Sequence, residues 1–233
     1  YGLSETSPIA TMNYPGARKI GSVGKPIPGV EIEIDVAATE DPKQGEVVIY
    51  GHNIMEGYHN LDEANAEVLV EKGGMRGFRS GDMGVIDDEG FLHITGRVKE
   101  QYKLLNGKYV VPTPLEEQVK LSPYISNAMV YGMNREYNVA IVVPDYEALK
   151  PWAAEKGLDP NPASLAKSDA LRALIEEEVD KFSAKFKGYE KARKLFIGDE
   201  DFTTENGMLT PTLKLKRRVV LERYNDAIDS LYA

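Results

Sequence analysis

Hydrophobic and polar residues alternate strictly over Val30-Glu31-Ile32-Glu33-Ile34-Asp35, a period of two that predicts a strand with one buried face. Glu46-Val47-Val48-Ile49-Tyr50 is a short β-branched run, and Phe91-Leu92-His93-Ile94 follows the turn signal Asp87-Asp88-Glu89-Gly90, so both read as further strands. One helix is expected here, around Leu61 to Val70. Farther along the chain the period changes. Leu115 to Leu121 predicts a short helix behind Pro112 and Pro114, and Ile125 to Tyr131 and Tyr137 to Val143 predict two strands joined across Gly132-Met133-Asn134. Leu171, Leu174, Ile175, Val179, Phe182 and Phe186 recur at helical spacings and mark the apolar stripe of a long helix, with Ser168 placed to cap it. Lys194 to Ile197 reads as a third strand, and Val220, Tyr224, Ile228 and Leu231 as a terminal amphipathic helix.

Glycine sharpens this division, because 16 of the 21 glycines fall in residues 1–107, which implies tight turns in front and longer regular elements behind. The expected class is α+β. Residues 1–98 form a β-rich part, and residues 99–233 a small α+β domain with a short sheet flanked by helices. The formal net charge of -9 argues against a nucleic-acid partner, so any anion bound here needs a local basic pocket. The absence of cysteine rules out disulfides and a thioester through an enzyme thiol, and it points to a cytoplasmic setting. Apolar runs such as Val139 to Val143 are far shorter than the roughly 20 residues a membrane helix needs. The three histidines, His52, His59 and His93, lack the spacing of a zinc pair. Lys181, Lys185, Lys187, Lys191, Arg193 and Lys194 read as the polar face and exit of the long helix, with contact to an anionic ligand or to a membrane surface as the other reading.

Four places could carry chemistry. Glu5, behind glycine and between Ser4 and Thr6, could hold a hard cation while the two hydroxyls meet phosphate oxygens; the competing reading is a simple turn cap. Tyr1 could stack on a purine or serve as packing with a wet tip. Asp82, in Ser80-Gly81-Asp82, could accept hydrogen bonds from vicinal ribose hydroxyls, or be an ordinary turn aspartate. Arg97 could pair with ribose or phosphate oxygens through its planar fork, or be an ordinary surface arginine. Lys214 lies in Leu209-Thr210-Pro211-Thr212-Leu213-Lys214-Leu215-Lys216, where an extended backbone would project Lys214 and Lys216 to one side; an oxyanion at phosphorus is a target for such an ammonium, and the competing reading is a solvated basic stretch before a helix.

Taken in order, these segments resemble the AMP-forming, adenylating ligases. Tyr1 to Thr6 is similar to that superfamily's Tyr-Gly-x-Thr-Glu motif, with Ser4 in place of Thr, and Ser80-Gly81-Asp82 to its Thr-Gly-Asp motif. Gly96-Arg97-Val98-Lys99-Glu100 resembles its hinge. The segments Gly21 to Gly29, Gly45 to Gly51 and Asn53 to Tyr58 are similar to its spacers. Leu105-Asn106-Gly107-Lys108-Tyr109-Val110 and Leu209 to Arg217 look most like long-chain fatty acyl-CoA synthetases. Such a resemblance implies a two-step ligase using ATP, Mg²⁺ and CoA: a fatty acid attacks the α-phosphate of MgATP to give acyl-AMP, and the thiol of CoA then displaces AMP. Glu5 would ligate Mg²⁺, with Ser4, Thr6 and Tyr1 beside the nucleotide. Asp82 would hold the ribose with help from Arg97, and Lys214 would be the catalytic lysine of adenylation. Lys99 would be the hinge about which the tail domain turns, bringing Asn106, Gly107 and Lys108 toward CoA.

Tyr1 opens inside a motif and the family's phosphate loop would lie upstream, so the expectation is the C-terminal portion of a longer enzyme, without adenylating competence of its own. Gly77-Phe78-Arg79 also stands where many members carry an aromatic pair. Alternatives are a ligase for another acid, a domain that loads a carrier protein, and a non-catalytic nucleotide-binding or interaction module. Oligomeric state has no signature in the sequence.

Overall fold

In the computed structural model, which describes residues 1–39 and 42–233, the chain forms two compact units, Tyr1–Gln101 and Tyr102–Ala233. The class is α+β. The first unit contains the short pair β1 (Thr11–Met12) and β2 (Lys25–Pro26), then β3 (Val30–Asp35), β4 (Gly45–Gly51), α1 (Asp62–Val68), β5 (Leu69–Lys72), β6 (Met75–Ile86) and β7 (Leu92–Arg97). Its main sheet runs β3-β4-β6-β5, with β7 also paired to β6. The alternation in β3 is realised against β4, and Val47, Ile49, Phe78 and Leu92 form the buried centre with Val30.

Strand β6 is not announced by the sequence pattern, because Gly77, Gly81 and Gly84 interrupt its periodicity. They are there for space and for conformation. A Cβ on Gly77 would come within 2.4 Å of the Tyr50 ring, and Gly81 has φ of +69°. The expected helix at 61–70 stops at Val68, where the backbone turns extended and pairs with the start of β6.

A surface cluster closes the far end of this sheet. Asp87 accepts hydrogen bonds from Lys19 Nζ at 2.7 Å and from the Phe91 and Glu89 amides, and His93 Nε2 lies 2.9 Å away. The Lys19 ammonium, then His93, holds the Asp87 carboxyl well below the usual carboxylate range. A depressed folded-state pKa contributes stability that is present above the ordinary aspartate value of 3.8 and lost as pH falls. Asp87→Asn should therefore lower the melting temperature at neutral pH, and the gap from wild type should hold at pH 5 and begin to narrow only below about pH 3.8.

The second unit contains β8 (Tyr102–Lys103), β9 (Tyr109–Val110), α2 (Pro112–Val119), β10 (Ile125–Tyr131), β11 (Asn138–Pro144), α3 (Tyr146–Glu155), α4 (Pro162–Leu165), α5 (Asp169–Ser183), β12 (Ala192–Ile197), α6 (Arg217–Arg223) and α7 (Asn225–Ser230). Strand β11 is central, antiparallel to β10 and parallel to β12, and buried along its whole length. Its alternate residues feed two cores. Ala140 and Val142 join Leu149, Leu171 and Ile175 on one face, while Val139, Ile141 and Val143 join Phe202, Met208, Val220 and Tyr224 on the other.

The apolar stripe predicted for the long helix is realised in α5, where Leu171, Ile175 and Val179 are buried. Ser168 occupies the N-cap position, but its hydroxyl makes no capping hydrogen bond. The expected single terminal helix is two. Tyr224 leaves the helical range at φ -108° and ψ 19° between α6 and α7, with its ring packed on Phe196 and Phe202. Among the described residues no helix is long and apolar enough to cross a membrane.

Candidate functional site

Asp82 owes its position to a pair of strand irregularities. Between Val48↔Arg79 and Glu46↔Met83, the three residues Ser80, Gly81 and Asp82 stand opposite Val47 alone. A bulge of this kind bends the strand and re-aims a side chain, and here the left-handed Gly81 makes it sterically possible. On the other edge the register shifts again between Met83 and Gly84, which brings Arg97 opposite Asp82. The bulge is held from three sides. Ser80 Oγ donates to the Val47 carbonyl at 2.6 Å and accepts the Asp82 amide at 3.1 Å, and Glu46 Oε1 accepts the Gly81 amide at 3.0 Å. Glu46 is buried and its other oxygen receives Arg79, which also donates to Asp35.

The Asp82 carboxylate is only 8% exposed, yet both oxygens are engaged: Arg97 Nε donates to Oδ1 at 3.1 Å and the Tyr1 hydroxyl donates to Oδ2 at 2.6 Å. Burial, with the neighbouring carboxylate adding to it, pushes the Tyr1 phenol pKa up, so it stays a donor. A carboxylate offers roughly four lone-pair positions, which leaves acceptor capacity for two further hydroxyls. Tyr1 is half-buried against the core of the unit, as a packing residue with a polar tip.

Ser4 to Thr6 forms a single 3₁₀ turn. Thr6 is fully buried, and its hydroxyl accepts the Leu3 amide at 2.9 Å and donates to the Leu3 and Pro8 carbonyls, so it shapes the turn from beneath. Ser4 is exposed. The segment Asn53–Tyr58, which the sequence marks only as a spacer, splints this turn. Asn53 donates to the Thr6 and Ile9 carbonyls, the Met55 amide donates to the Glu5 carbonyl at 2.9 Å, and the Tyr58 hydroxyl donates to Glu5 Oε1 at 2.8 Å. Burial first, and Glu5 second, raise the Tyr58 pKa.

Glu5, Tyr58, Arg79, Ser80, Gly81, Arg97 and Lys99 all line one cleft of about 410 Å³ in the first unit. Lys99 lies in the 3₁₀ turn Val98–Glu100, highly exposed, with Nζ 3.9 Å from Glu67. Among the described residues no three histidine or carboxylate side chains cluster as a self-sufficient metal cage. A lone carboxylate with one oxygen steadied by a phenol still suits Mg²⁺. That ion commonly takes one or two protein carboxylates and completes its octahedron with phosphate oxygens and water.

In the second unit, Asn106, Gly107 and Lys108 form the β8–β9 hairpin turn. Asn106 Oδ1 accepts the Lys108 amide and Gly107 is left-handed at φ +85°, the turn chemistry expected of Asn-Gly. The segment around Lys214 is a tight turn rather than an extended strand. Thr210 N–H donates to the Lys214 carbonyl and Leu213 N–H to the Thr210 carbonyl, Leu209 bridges Leu215, and Leu213 is left-handed at φ +59°. The Thr210 hydroxyl accepts the Lys214 amide at 3.0 Å and so favours the turn. Lys214 is exposed, with no ion-pair partner among the described residues.

With this geometry in view, comparison with known proteins gives a consistent result. Residues 1–59 match the model of the AMP-binding enzyme family, and residues 99–233 match that of the AMP-binding enzyme C-terminal domain. The chain belongs to the AMP-binding enzyme family. It is 38% identical to fatty acyl-CoA synthetase A of Dictyostelium discoideum, over all of this chain and 36% of that protein. It is 36% identical to the long-chain-fatty-acid–CoA ligase FadD15 of Mycobacterium bovis, over all of this chain and 37% of that one. The chain thus spans little more than a third of the length of these curated relatives. Among solved structures it resembles the A-PCP didomain of carboxylic acid reductase from Segniliparus rugosus in complex with AMP, with TM-score 0.72 and 25% identity, over all of this chain and 30% of that one. It also resembles the adenylation domain of a Mycobacterium chelonae carboxylate reductase, with TM-score 0.70 and 28% identity over 91% of this chain and 32% of that chain.

Proposed function

We propose that the protein carrying this chain is an acid–thiol ligase that activates a long-chain fatty acid with MgATP to acyl-AMP and passes the acyl group to CoA. The observation that carries this reading is the arrangement in the first unit: a buried carboxylate, Asp82, paired with Arg97 beside the cleft that Glu5 lines. The names of the curated relatives support the substrate class. In this reading Asp82 accepts the ribose hydroxyls, Arg97 orients that carboxylate, and the exposed Ser4 hydroxyl and the Glu5 carboxylate face the phosphates. Thr6 acts by holding the turn. Mg²⁺, when bound at Glu5, neutralises charge on the phosphates. Lys214 supplies positive charge to the oxygens of the α-phosphate as the carboxylate attacks, Lys99 is the hinge, and Asn106, Gly107 and Lys108 serve the thioester step.

The test is to follow the two half-reactions separately in the native protein that carries this sequence: fatty-acid-dependent pyrophosphate exchange, and thioester formation from preformed acyl-AMP. Both should proceed, and free CoA should saturate the second. If free CoA does not saturate and a phosphopantetheine carrier protein does, the protein is a carrier-loading enzyme, a reading that the likeness to the A-PCP didomain favours. If neither half-reaction occurs while AMP binds, the chain belongs to a non-catalytic nucleotide-binding module.

Tyr58 has a measurable part in this scheme. Tyr58→Phe keeps the ring and deletes the hydroxyl that steadies Glu5. A hydrogen bond to a charged group is worth about 1.5–3 kcal/mol, and partial exposure reduces that here. The half-saturating MgATP concentration for pyrophosphate exchange should rise roughly threefold to tenfold, with the melting temperature within a few degrees of wild type. Magnesium titration at fixed ATP reads the same change directly.

A further inference from the structure

The turn that carries Lys214 is bolted to the body of its unit by an ion pair whose buried carboxylate, Glu116, lies outside every motif considered above. Arg217, three residues beyond Lys214 and first in α6, sends Nη1 to Glu116 Oε1 at 2.7 Å and Nη2 to Glu116 Oε2, and Nη2 also reaches Thr113 Oγ1 at 3.2 Å. Glu116 is 4% exposed in α2, and its Oε1 accepts the amide of Val130 in β10 at 2.6 Å. On the other side of the turn the Lys216 amide donates to the carbonyl of Met208, whose side chain is buried beneath α6 and α7. The turn between these anchors is exposed, and its lysine has a flexible four-carbon stem.

We propose that Glu116 is a positioning residue for Lys214, acting through Arg217; this rests on the reading of Lys214 as the lysine of adenylation. A bidentate carboxylate–guanidinium pair whose carboxylate is buried is a poor choice for stability alone, since apolar residues of similar volume often do as well. Its planar fork does fix direction. The pair also joins two functional segments. Helix α2 follows directly on the β8–β9 hairpin with Asn106, Gly107 and Lys108, so Glu116 ties the Lys214 turn and that hairpin into one body.

The experiment compares Glu116→Gln, Lys214→Ala, and the apolar pair Glu116→Leu with Arg217→Met, all in the native protein. Glu116→Gln should slow pyrophosphate exchange about tenfold, because small displacements of a catalytic group have large kinetic effects. Thioester formation from preformed acyl-AMP should stay within about twofold, and amide exchange should quicken over residues 209–216. Added to Lys214→Ala, Glu116→Gln should cause no further loss of exchange activity, since the two act as a unit. The apolar pair should regain melting temperature while exchange stays slow. Equal slowing of both half-reactions by Glu116→Gln, losses that multiply with those of Lys214→Ala, or full recovery of exchange in the apolar pair would each overturn the proposal. Exchange that survives Lys214→Ala would instead remove the reading on which it rests. Exchange that collapses with Lys214→Ala but is unmoved by Glu116→Gln removes the positioning role alone.

Discussion

Replacing Lys214 by alanine should lower fatty-acid-dependent pyrophosphate exchange by about 10²–10³-fold, the range seen when a single charge-stabilising donor is removed from a transition state. Thioester formation from preformed acyl-AMP should stay within a few-fold, since in the proposed scheme the tail domain has by then turned about Lys99 and withdrawn the lysine. The split is informative because Lys214 is exposed and unpaired among the described residues, so its loss should change stability by no more than about 0.5 kcal/mol. Lys214→Arg keeps the charge but spreads it over a planar fork, and should recover only part of the exchange activity. Rates near wild type in both assays for Lys214→Ala would make it a surface lysine.

The second large effect should come from Asp82→Asn, read as nucleotide affinity. The substitution keeps the size of the side chain and removes the charge that Arg97 and the Tyr1 hydroxyl now share. Two ribose hydroxyls that lose an ionised acceptor each weaken, and at about 1.4 kcal/mol per factor of ten the affinity for AMP should fall roughly 10–100-fold. The decisive comparison is with 2′,3′-dideoxy-AMP in a calorimetric titration. Wild type should discriminate strongly between the two nucleotides and Asp82→Asn hardly at all. If the variant retains the discrimination, the ribose is read elsewhere and Asp82 serves only to hold Arg97 and Tyr1.

Local order was legible from residue patterns. The alternation from Val30 to Asp35, the β-branched run at Val47 and the stripe through Leu171, Ile175 and Val179 each correspond to the element that their period implies, because one side of each must be buried whatever it packs against. Resemblance along the chain marked the family and singled out Asp82, Arg97, Glu5 and Lys214. The helix expected to run on to Val70 and the single helix expected at the C-terminus differ for one shared reason. Pairing of Leu69 to Lys72 with β6, and packing of the Tyr224 ring, override propensities that are weak over a few residues.

Sequence by itself determined the periodicities, the absence of cysteine, the acidic balance and the order of the motifs, all of which are read from the residues along the chain. Only the tertiary structure decided that two bulges bring Asp82 opposite Arg97, that Tyr58 steadies Glu5 from 53 residues away, and that Arg217 closes on Glu116 across 101 residues. Strand register and side-chain pairing of that kind arise from contacts between distant segments, whose partners leave no period in the sequence around either one.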